Sequence, residues 1–177
     1  RDKGGERYFL IAGLVAGLLP FFHTHTFISI VILSISWAIM GGVIIFGKKP
    51  TFQRRYLKSI FLYFLALGGM SLIQLPWFLS QNSQLPFEFG WMKGNENFFW
   101  FWFKNTGFFW PLAFLGLWKG RFSGFVKTLA VASWSLFLLP NLFRFAPWGY
   151  DNLKILTYWY LINSMLAITG LWWLWQK

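Results

Sequence analysis

The stretch YFLIAGLVAGLLPFFHTHTFISIVILSISWAIMGGVIIF, residues 8–46, contains no Asp, Glu, Lys or Arg over 39 positions. As one α-helix it would extend about 58 Å, nearly twice the roughly 30 Å hydrocarbon core of a bilayer. The chain must therefore turn near the middle, where Pro20 is followed by the polar run His23 to Thr26. The stretch predicts a hairpin between two membrane spans, with both histidines at or just below one membrane surface.

The composition of the whole chain is that of a membrane protein. Hydrophobic residues make up 56% of the 177 positions and charged residues 12%, and a soluble domain with so few charges would leave large apolar patches in water. The net charge of +11 does not indicate nucleic acid, because the basic residues fall between apolar runs. The absence of cysteine excludes disulfides, thiolate catalysis and cysteine metal sites.

The hydrophobic runs predict an all-α fold, a polytopic transmembrane helical bundle with about six spans. The predicted spans are 8–22, 27–46, 60–79, 98–118, 128–143 and 153–175. Of the 16 Lys and Arg residues, 12 fall on connections that this threading places on one face, and the positive-inside rule makes that face cytoplasmic. Both ends of the chain are then cytoplasmic, and residues 1–177 form a single membrane domain.

Aromatic residues cluster where the predicted spans end. FFWFWF at 98–103 and LWWLW at 171–175 occupy such positions, and Trp and Tyr are enriched at the two interfaces of a membrane. We therefore expect these rings to belong to interfacial belts.

The unusual polar residues gather on the predicted extracytoplasmic side. His23 and His25 lie at the hairpin, Glu88 lies in the loop 80–97, and NLFRFAPWGYDNLK at 141–154 precedes the last span. The shared side predicts a common outer site.

Two interpretations are open for the cations near this site. In the first, Asp151 or Asn152 caps the last helix while Trp148 and Tyr150 anchor it in the headgroup layer. In the second, Arg144, Asp151 and Lys154 line a pocket for a lipid phosphate, with Arg144 supplying a planar fork and Lys154 a point charge. Lys104, followed by Asn105, lies within a span. Its stem either snorkels to the outer surface, or both side chains face inward and join Arg144 in an anion site.

The histidines do not predict a metal site within this chain. Two imidazoles without cysteine are too few ligands, and positions two apart on a helix diverge by about 200°. A divalent metal bound largely by residues outside this chain, or a pigment or haem ligated by His23 or His25, stays open. So do hydrogen bonding or proton acceptance by an imidazole in an outer cavity, and plain solvation of both rings among headgroups.

Three stretches carry a resemblance to a known family: RYFLIAGLVAGLLPFFHTHT at 7–26, FWFKNTGFFWPL at 101–112 and PNLFRFAPWGYDNLKILTYWY at 140–160. They look like the later membrane helices of glycosyltransferase C (GT-C) superfamily proteins, most of all bacterial members. The resemblance implies an integral protein of a bacterial inner (plasma) membrane, where a sugar is transferred from a polyprenyl-phosphate donor on the extracytoplasmic side.

That family keeps its catalytic acid in the first extracytoplasmic loop, and no acidic loop precedes the first span here. The resemblance thus implies either the non-catalytic half of such an enzyme or a copy that does not catalyse. The opening RDKGGERYFL has no initiator methionine and no signal-peptide pattern, so we expect the chain to be a piece of a longer polypeptide.

The leading hypothesis is a membrane protein that binds a lipid-linked anionic substrate, such as a polyprenyl-phosphate sugar donor, in an outward-facing cavity. If the chain catalyses, Asp151 and Glu88 are the candidate acids for accepting a proton from an acceptor hydroxyl. The second hypothesis is a non-enzymatic accessory subunit of a large membrane complex that packs lipids, pigments or partner helices. The predicted substrate contacts are His23, His25, Lys104, Asn105, Arg144, Asp151 and Lys154.

Overall fold

The protein is built from helices. The computed structural model describes residues 4–74, 76, 86–145 and 149–177, and within them the single strand-like pairing is an isolated antiparallel bridge between Phe87 and Phe143. The predicted all-α fold is therefore confirmed. The helices are α1 (Gly4–Leu18), α2 (Thr24–Ile45), α3 (Pro50–Ser71), α4 (Phe98–Thr106), α5 (Phe109–Lys119), α6 (Gly124–Ser133), α7 (Ser135–Leu142) and α8 (Gly149–Trp175). Short 3₁₀ turns lie at Leu19–Phe21, Leu72–Gln74 and Trp91–Lys93.

The chain forms two compact units, residues 1–84 and 85–177. The first unit contains α1 to α3, and the second contains α4 to α8. A single membrane domain over 1–177 would require these two units to associate in a bilayer, and this stays a prediction.

Helices long and apolar enough to cross a membrane occur in both units. Among the described residues there are four, Thr24–Ile45, Pro50–Gln74, Gly124–Leu142 and Gly149–Trp175. They correspond to the second, third, fifth and sixth predicted spans. The length and hydropathy of these four helices support the prediction of a membrane protein. The number of six spans and the cytoplasmic placement of both ends stay predictions.

The two remaining predicted spans are less regular than the sequence suggests. In the first, α1 has 15 residues and continues only through the 3₁₀ turn Leu19–Phe21, whose second residue is Pro20. The predicted span 98–118 is divided into α4 and α5 at Gly107, which has φ 55° and ψ −133°. Glycine adopts this conformation without the steric cost that a Cβ would add.

The third helix begins ten residues before its predicted span. Pro50 occupies its first turn, where the missing N–H costs nothing and the fixed φ favours a helix. The helix therefore includes Arg54, Arg55 and Lys58. The predicted span began at residue 60 because charged side chains were excluded from it. That criterion locates the part of a helix that lies in the hydrocarbon, whereas the helical backbone can begin earlier.

In the first unit, α1 and α3 are in close backbone contact at two glycines. A Cβ on Gly17 would lie 2.7 Å from the carbonyl oxygen of Leu67, and a Cβ on Gly13 would collide with the carbonyl oxygen of Tyr63. Gly13 and Gly17 form a G-x-x-x-G motif, which permits such close approach of membrane helices. The pairing of 13 with 63 and 17 with 67 also shows that α1 and α3 run in the same direction.

The second unit repeats this kind of contact between α5 and α8. A Cβ on Gly116 would collide with the carbonyl oxygen of Leu166, and one on Gly170 would collide with that of Leu112. Small side chains continue the interface, since Ala113 and Ala167 are buried beside it. Each unit thus contains a helix pair whose backbones are in direct contact, because glycine has no side chain to separate them.

A cluster of aromatic rings fills the remaining core of the second unit. The ring centroid of Phe137 lies 4.7 Å from that of Trp102 and 4.8 Å from those of Trp110 and Trp159. Trp102 is 4% exposed and Trp159 is completely buried. The expectation that FFWFWF at 98–103 forms an interfacial belt is therefore wrong for Trp102, because one face of α4 packs into the core while Trp100 stays exposed.

The glycine contacts predict different effects for two Gly→Ala substitutions. Gly116→Ala should lower the free energy of unfolding by about 1 to 3 kcal/mol, because the new methyl meets backbone rather than a flexible side chain. Gly69→Ala, where a Cβ meets nothing within 4 Å, should leave stability unchanged or raise it by up to about 1 kcal/mol through helix propensity. Thermal unfolding in detergent micelles, followed by circular dichroism, compares the two. Equal effects would contradict the close contact.

Candidate functional site

The C-terminal end of α7 is covered by residues 86–93. The backbone N–H of Glu88 donates to the Leu142 carbonyl at 2.9 Å and that of Gly90 to the Asn141 carbonyl at 2.7 Å. The indole Nε1 of Trp91 donates to the Pro140 carbonyl at 2.8 Å. The last carbonyls of a helix have no partner within the helix, so these bonds hold residues 86–93 against it.

Arg144 lies directly after this capped helix end. Its backbone N–H donates to the Pro86 carbonyl at 3.2 Å, and its guanidinium carbon lies 5.0 Å from the centroid of the Trp91 ring. Its Nε is buried and has no hydrogen-bond acceptor among the described residues. No carboxylate among those residues forms an ion pair with the guanidinium. In the part of the chain that the structure describes, Arg144 is therefore a cation on an aromatic ring without a partner anion.

The N-terminus of α8 meets the same aromatic ring. A Cβ on Gly149 would lie 3.5 Å from the Trp91 ring. The buried Asn152 accepts a hydrogen bond from the backbone N–H of Phe145 at 2.6 Å and so ties the start of α8 to the residue after Arg144. Trp91 thus lies next to both Arg144 and the start of α8. Residues 146–148 of the predicted segment 141–154 lie outside the described residues.

Asp151 and Lys154 form a pair within the first turn and a half of α8. Lys154 Nζ donates to Asp151 Oδ1 at 2.7 Å, and both side chains are partly exposed. A carboxylate at this position also interacts favourably with the positive end of the helix dipole. The helix begins at Gly149, so Asp151 and Asn152 lie inside its first turns and are not the caps that a predicted start at residue 153 implied. The role of Asp151 and Lys154 toward a substrate stays a prediction.

Lys104 and Asn105 have partners close to them in sequence. Lys104 Nζ pairs with Glu96 at 2.6 Å, with both side chains partly exposed. Asn105 Nδ2 donates to the Phe101 carbonyl one turn earlier. No hydrogen bond or ion pair joins Lys104 or Asn105 to Arg144 among the described residues, so their membership in one anion site stays a prediction without support from contacts.

Glu88, one of the two candidate acids, contributes through its backbone. Its N–H caps α7, and its side chain is exposed and makes no hydrogen bond or ion pair with other described residues. Residues 80–85 of its predicted loop lie outside the described residues.

The histidines have a local role that the sequence analysis missed. His23 is the N-cap of α2, where its Nδ1 accepts a hydrogen bond from the backbone N–H of Thr26 at 3.1 Å. Because its backbone is extended rather than helical, the two rings do not diverge as predicted but lie 5.8 Å apart, centroid to centroid. The His25 carbonyl accepts from Ser29 Oγ at 2.8 Å.

Over the ranges that the structure describes, no third ligand side chain joins the histidine pair. Among the described residues no group of three or more His, Cys, Asp or Glu side chains could hold a metal ion. The histidines belong to the first unit and Arg144 to the second, so the predicted common outer site stays a prediction.

Trp91 is the residue of this site that sequence reasoning missed. Its neighbour Gly90 has φ 64°, a left-handed conformation suited to glycine, and this turns the indole toward α7. The only hint in the sequence was the glycine before and after the WMK tripeptide.

No family model, no curated protein and no solved structure matches the chain. The resemblance to GT-C proteins accordingly stays an expectation, and the assignment of function depends on the geometry.

The capping role of His23 predicts a specific loss of stability. His23→Ala should lower the free energy of unfolding by about 1 kcal/mol, because the Thr26 N–H loses its acceptor. His23→Asn, whose side-chain oxygen can accept the same hydrogen bond in place of Nδ1, should restore most of it, and His25→Ala should cost less than His23→Ala. Chemical unfolding in micelles measures all three, and a failure of His23→Asn to restore stability would contradict the cap.

Proposed function

We propose that this chain is an integral membrane protein that binds a lipid-linked anion in its second unit, between α7 and α8, with Arg144 as the main contact. The observation that carries the proposal is the environment of Arg144, which stacks on Trp91 and has no carboxylate partner among the described residues. A cation next to apolar surface is costly unless an anion or water compensates it. A planar guanidinium matches the geometry of phosphate oxygens and can bind two of them at once.

The surroundings of Arg144 support a lipid rather than a free anion as the ligand. Phe87, Phe89 and Tyr150 are exposed on the segments that border it. Exposed rings of this kind suit the headgroup layer and the upper part of the hydrocarbon. A polyprenyl phosphate combines the phosphate that Arg144 binds with a hydrocarbon chain that such rings contact.

The proposal includes the topology derived from charge. In it the chain crosses the membrane six times with both ends in the cytoplasm, and Arg144 faces the extracytoplasmic side, as in the GT-C proteins that the sequence resembles. The supporting observation is the distribution of cations, 12 of 16 on one predicted face.

The proposal concerns binding, and it assigns no catalytic step to this chain. Asp151 holds Lys154 at 2.7 Å, which makes it a positioning residue for a second cation. Sugar transfer, which the GT-C resemblance implies, stays a prediction, as does the role of an accessory subunit.

Arg144 should matter much more for this binding than a cation on the predicted cytoplasmic face. Arg144→Ala should weaken binding of undecaprenyl phosphate at least tenfold, since hydrogen bonds to charged groups contribute about 1.5 to 3 kcal/mol. Arg144→Lys should recover only part, because an ammonium lacks the planar fork. Arg121→Ala is the control and should leave affinity unchanged. Quenching of tryptophan fluorescence in micelles gives the affinities, and equal losses for Arg144→Ala and Arg121→Ala would refute a localised site.

The topology has its own test, since the chain has no cysteine to give background labelling. Glu88→Cys and Lys48→Cys both replace exposed side chains. In intact cells an impermeant maleimide should label Glu88→Cys, and it should label Lys48→Cys only after permeabilisation. The reverse pattern would invert the arrangement and place Arg144 on the cytoplasmic side.

A further inference from the structure

The cap of α2 is a side chain that can itself take up a proton. His23 Nδ1 accepts hydrogen bonds from the backbone N–H of Thr26 at 3.1 Å and from the Thr26 hydroxyl at 2.8 Å. A backbone N–H can only donate, so Nδ1 must keep its lone pair, and the ring proton of the neutral imidazole must lie on Nε2. The cap therefore exists only while Nδ1 is unprotonated.

Protonation of His23 removes this acceptor. An imidazolium carries an N–H at both ring nitrogens and accepts no hydrogen bond, so the Thr26 N–H loses its partner. The new positive charge also lies at the positive end of the α2 dipole, where a cation is unfavourable. The side chain is exposed and thus open to protons from the solvent, and histidine changes its charge between about pH 5 and pH 8. Mild acid therefore acts against the cap.

The neighbouring helices of the first unit supply no carboxylate near the cap to compensate this charge. Residues 8–22 and 59–74, which include the C-terminal ends of α1 and α3, contain no Asp, Glu, Lys or Arg. Their titratable side chains are two tyrosines, Tyr8 and Tyr63. The titratable group in contact with His23 is His25, whose ring centroid lies 5.8 Å away. Two imidazolium ions at this distance repel each other, so protonation of the second ring acts in the same direction.

The remainder of α2 is held by contacts that do not depend on histidine. The hydroxyls of Ser34 and Tyr63 hydrogen-bond at 2.8 Å, and the Tyr56 hydroxyl donates to the Ala38 carbonyl at 2.8 Å. Ser29, only 1% exposed, is already packed inside the unit. Loss of the cap is therefore confined to the first turn of α2, and the rest of the helix stays attached to α3.

We propose that His23 is a pH-sensitive cap that stabilises the first turn of α2 near neutral pH and releases it in mild acid. When the pH falls, a proton from the solvent binds Nδ1, the Thr26 N–H loses its acceptor, and the turn Thr24–Phe27 opens. The stabilisation is thus present at the higher pH and lost as the pH decreases. In the proposed topology this turn lies on the extracytoplasmic side. The device is independent of Arg144, which belongs to the second unit.

The Thr26 amide proton measures the cap directly. In the full chain in micelles, NMR gives its protection against hydrogen exchange, corrected for the intrinsic pH dependence of exchange. This protection should fall about fivefold between about pH 8 and pH 5, the change that the loss of one capping interaction produces. The buried Asn163 in α8 is the internal reference, and its amide should keep its protection. A Thr26 protection that stays constant over this range would overturn the proposal.

Two asparagine variants identify the histidine that is responsible. His23→Asn keeps a capping oxygen that does not titrate, so its Thr26 protection should be the same at both pH values. His25→Asn leaves the cap in place and should still show a fall of about threefold or more. Equal pH dependence in the wild type and His23→Asn would overturn the proposal, as would its loss in His25→Asn alone.

Nitrogen NMR of the imidazole rings provides a second measurement on the unchanged chain. His23 Nδ1 should carry a lone pair at about pH 8 and become protonated over the same interval in which the Thr26 amide loses its protection. Protonation of His23 without a change at Thr26 would show that the cap does not respond to pH.

Discussion

Close backbone contact at glycine is the constraint on which both units of this protein depend. Helices in lipid gain little from hiding apolar side chains from one another, so they associate through tight packing. Gly13 and Gly17 allow this in the first unit, and Gly116 with Gly170 in the second. Toward the N-terminal ends of α1 and α3 larger residues such as Tyr8 and Ile60 take the place of glycine.

Hydrogen bonds to exposed backbone carbonyls then decide where polar side chains lie. The Trp91 indole and two backbone N–H groups satisfy the last carbonyls of α7, which would otherwise be costly to leave unpaired in an apolar environment. The same indole carries the Arg144 guanidinium. The residue that caps α7 therefore also positions the Arg144 guanidinium, which links the stability of the second unit to the proposed function.

For the histidine pair, the sequence predicted the break between two helices but not the part that His23 plays in it. Length alone required a turn between Pro20 and Thr26, and the structure has α1 ending at Leu18 and α2 beginning at Thr24. The ring geometry depended on whether His23 was the first residue of a helix or its cap. One residue of difference changed diverging side chains into rings 5.8 Å apart, a distinction below the precision with which sequence patterns define helix ends.

The sequence by itself determined the membrane character and the helical secondary structure. A run of 39 residues without Asp, Glu, Lys or Arg can pair its backbone N–H and C=O groups in lipid only as helices. It also contained the G-x-x-x-G motif at 13–17, a local signal. Tertiary structure alone decided that Trp102 is buried, that Lys104 pairs with Glu96 and that Arg144 stacks on Trp91. Burial depends on which face of a helix meets its neighbours, and the contact between residues 91 and 144 joins positions that only the folded chain brings together.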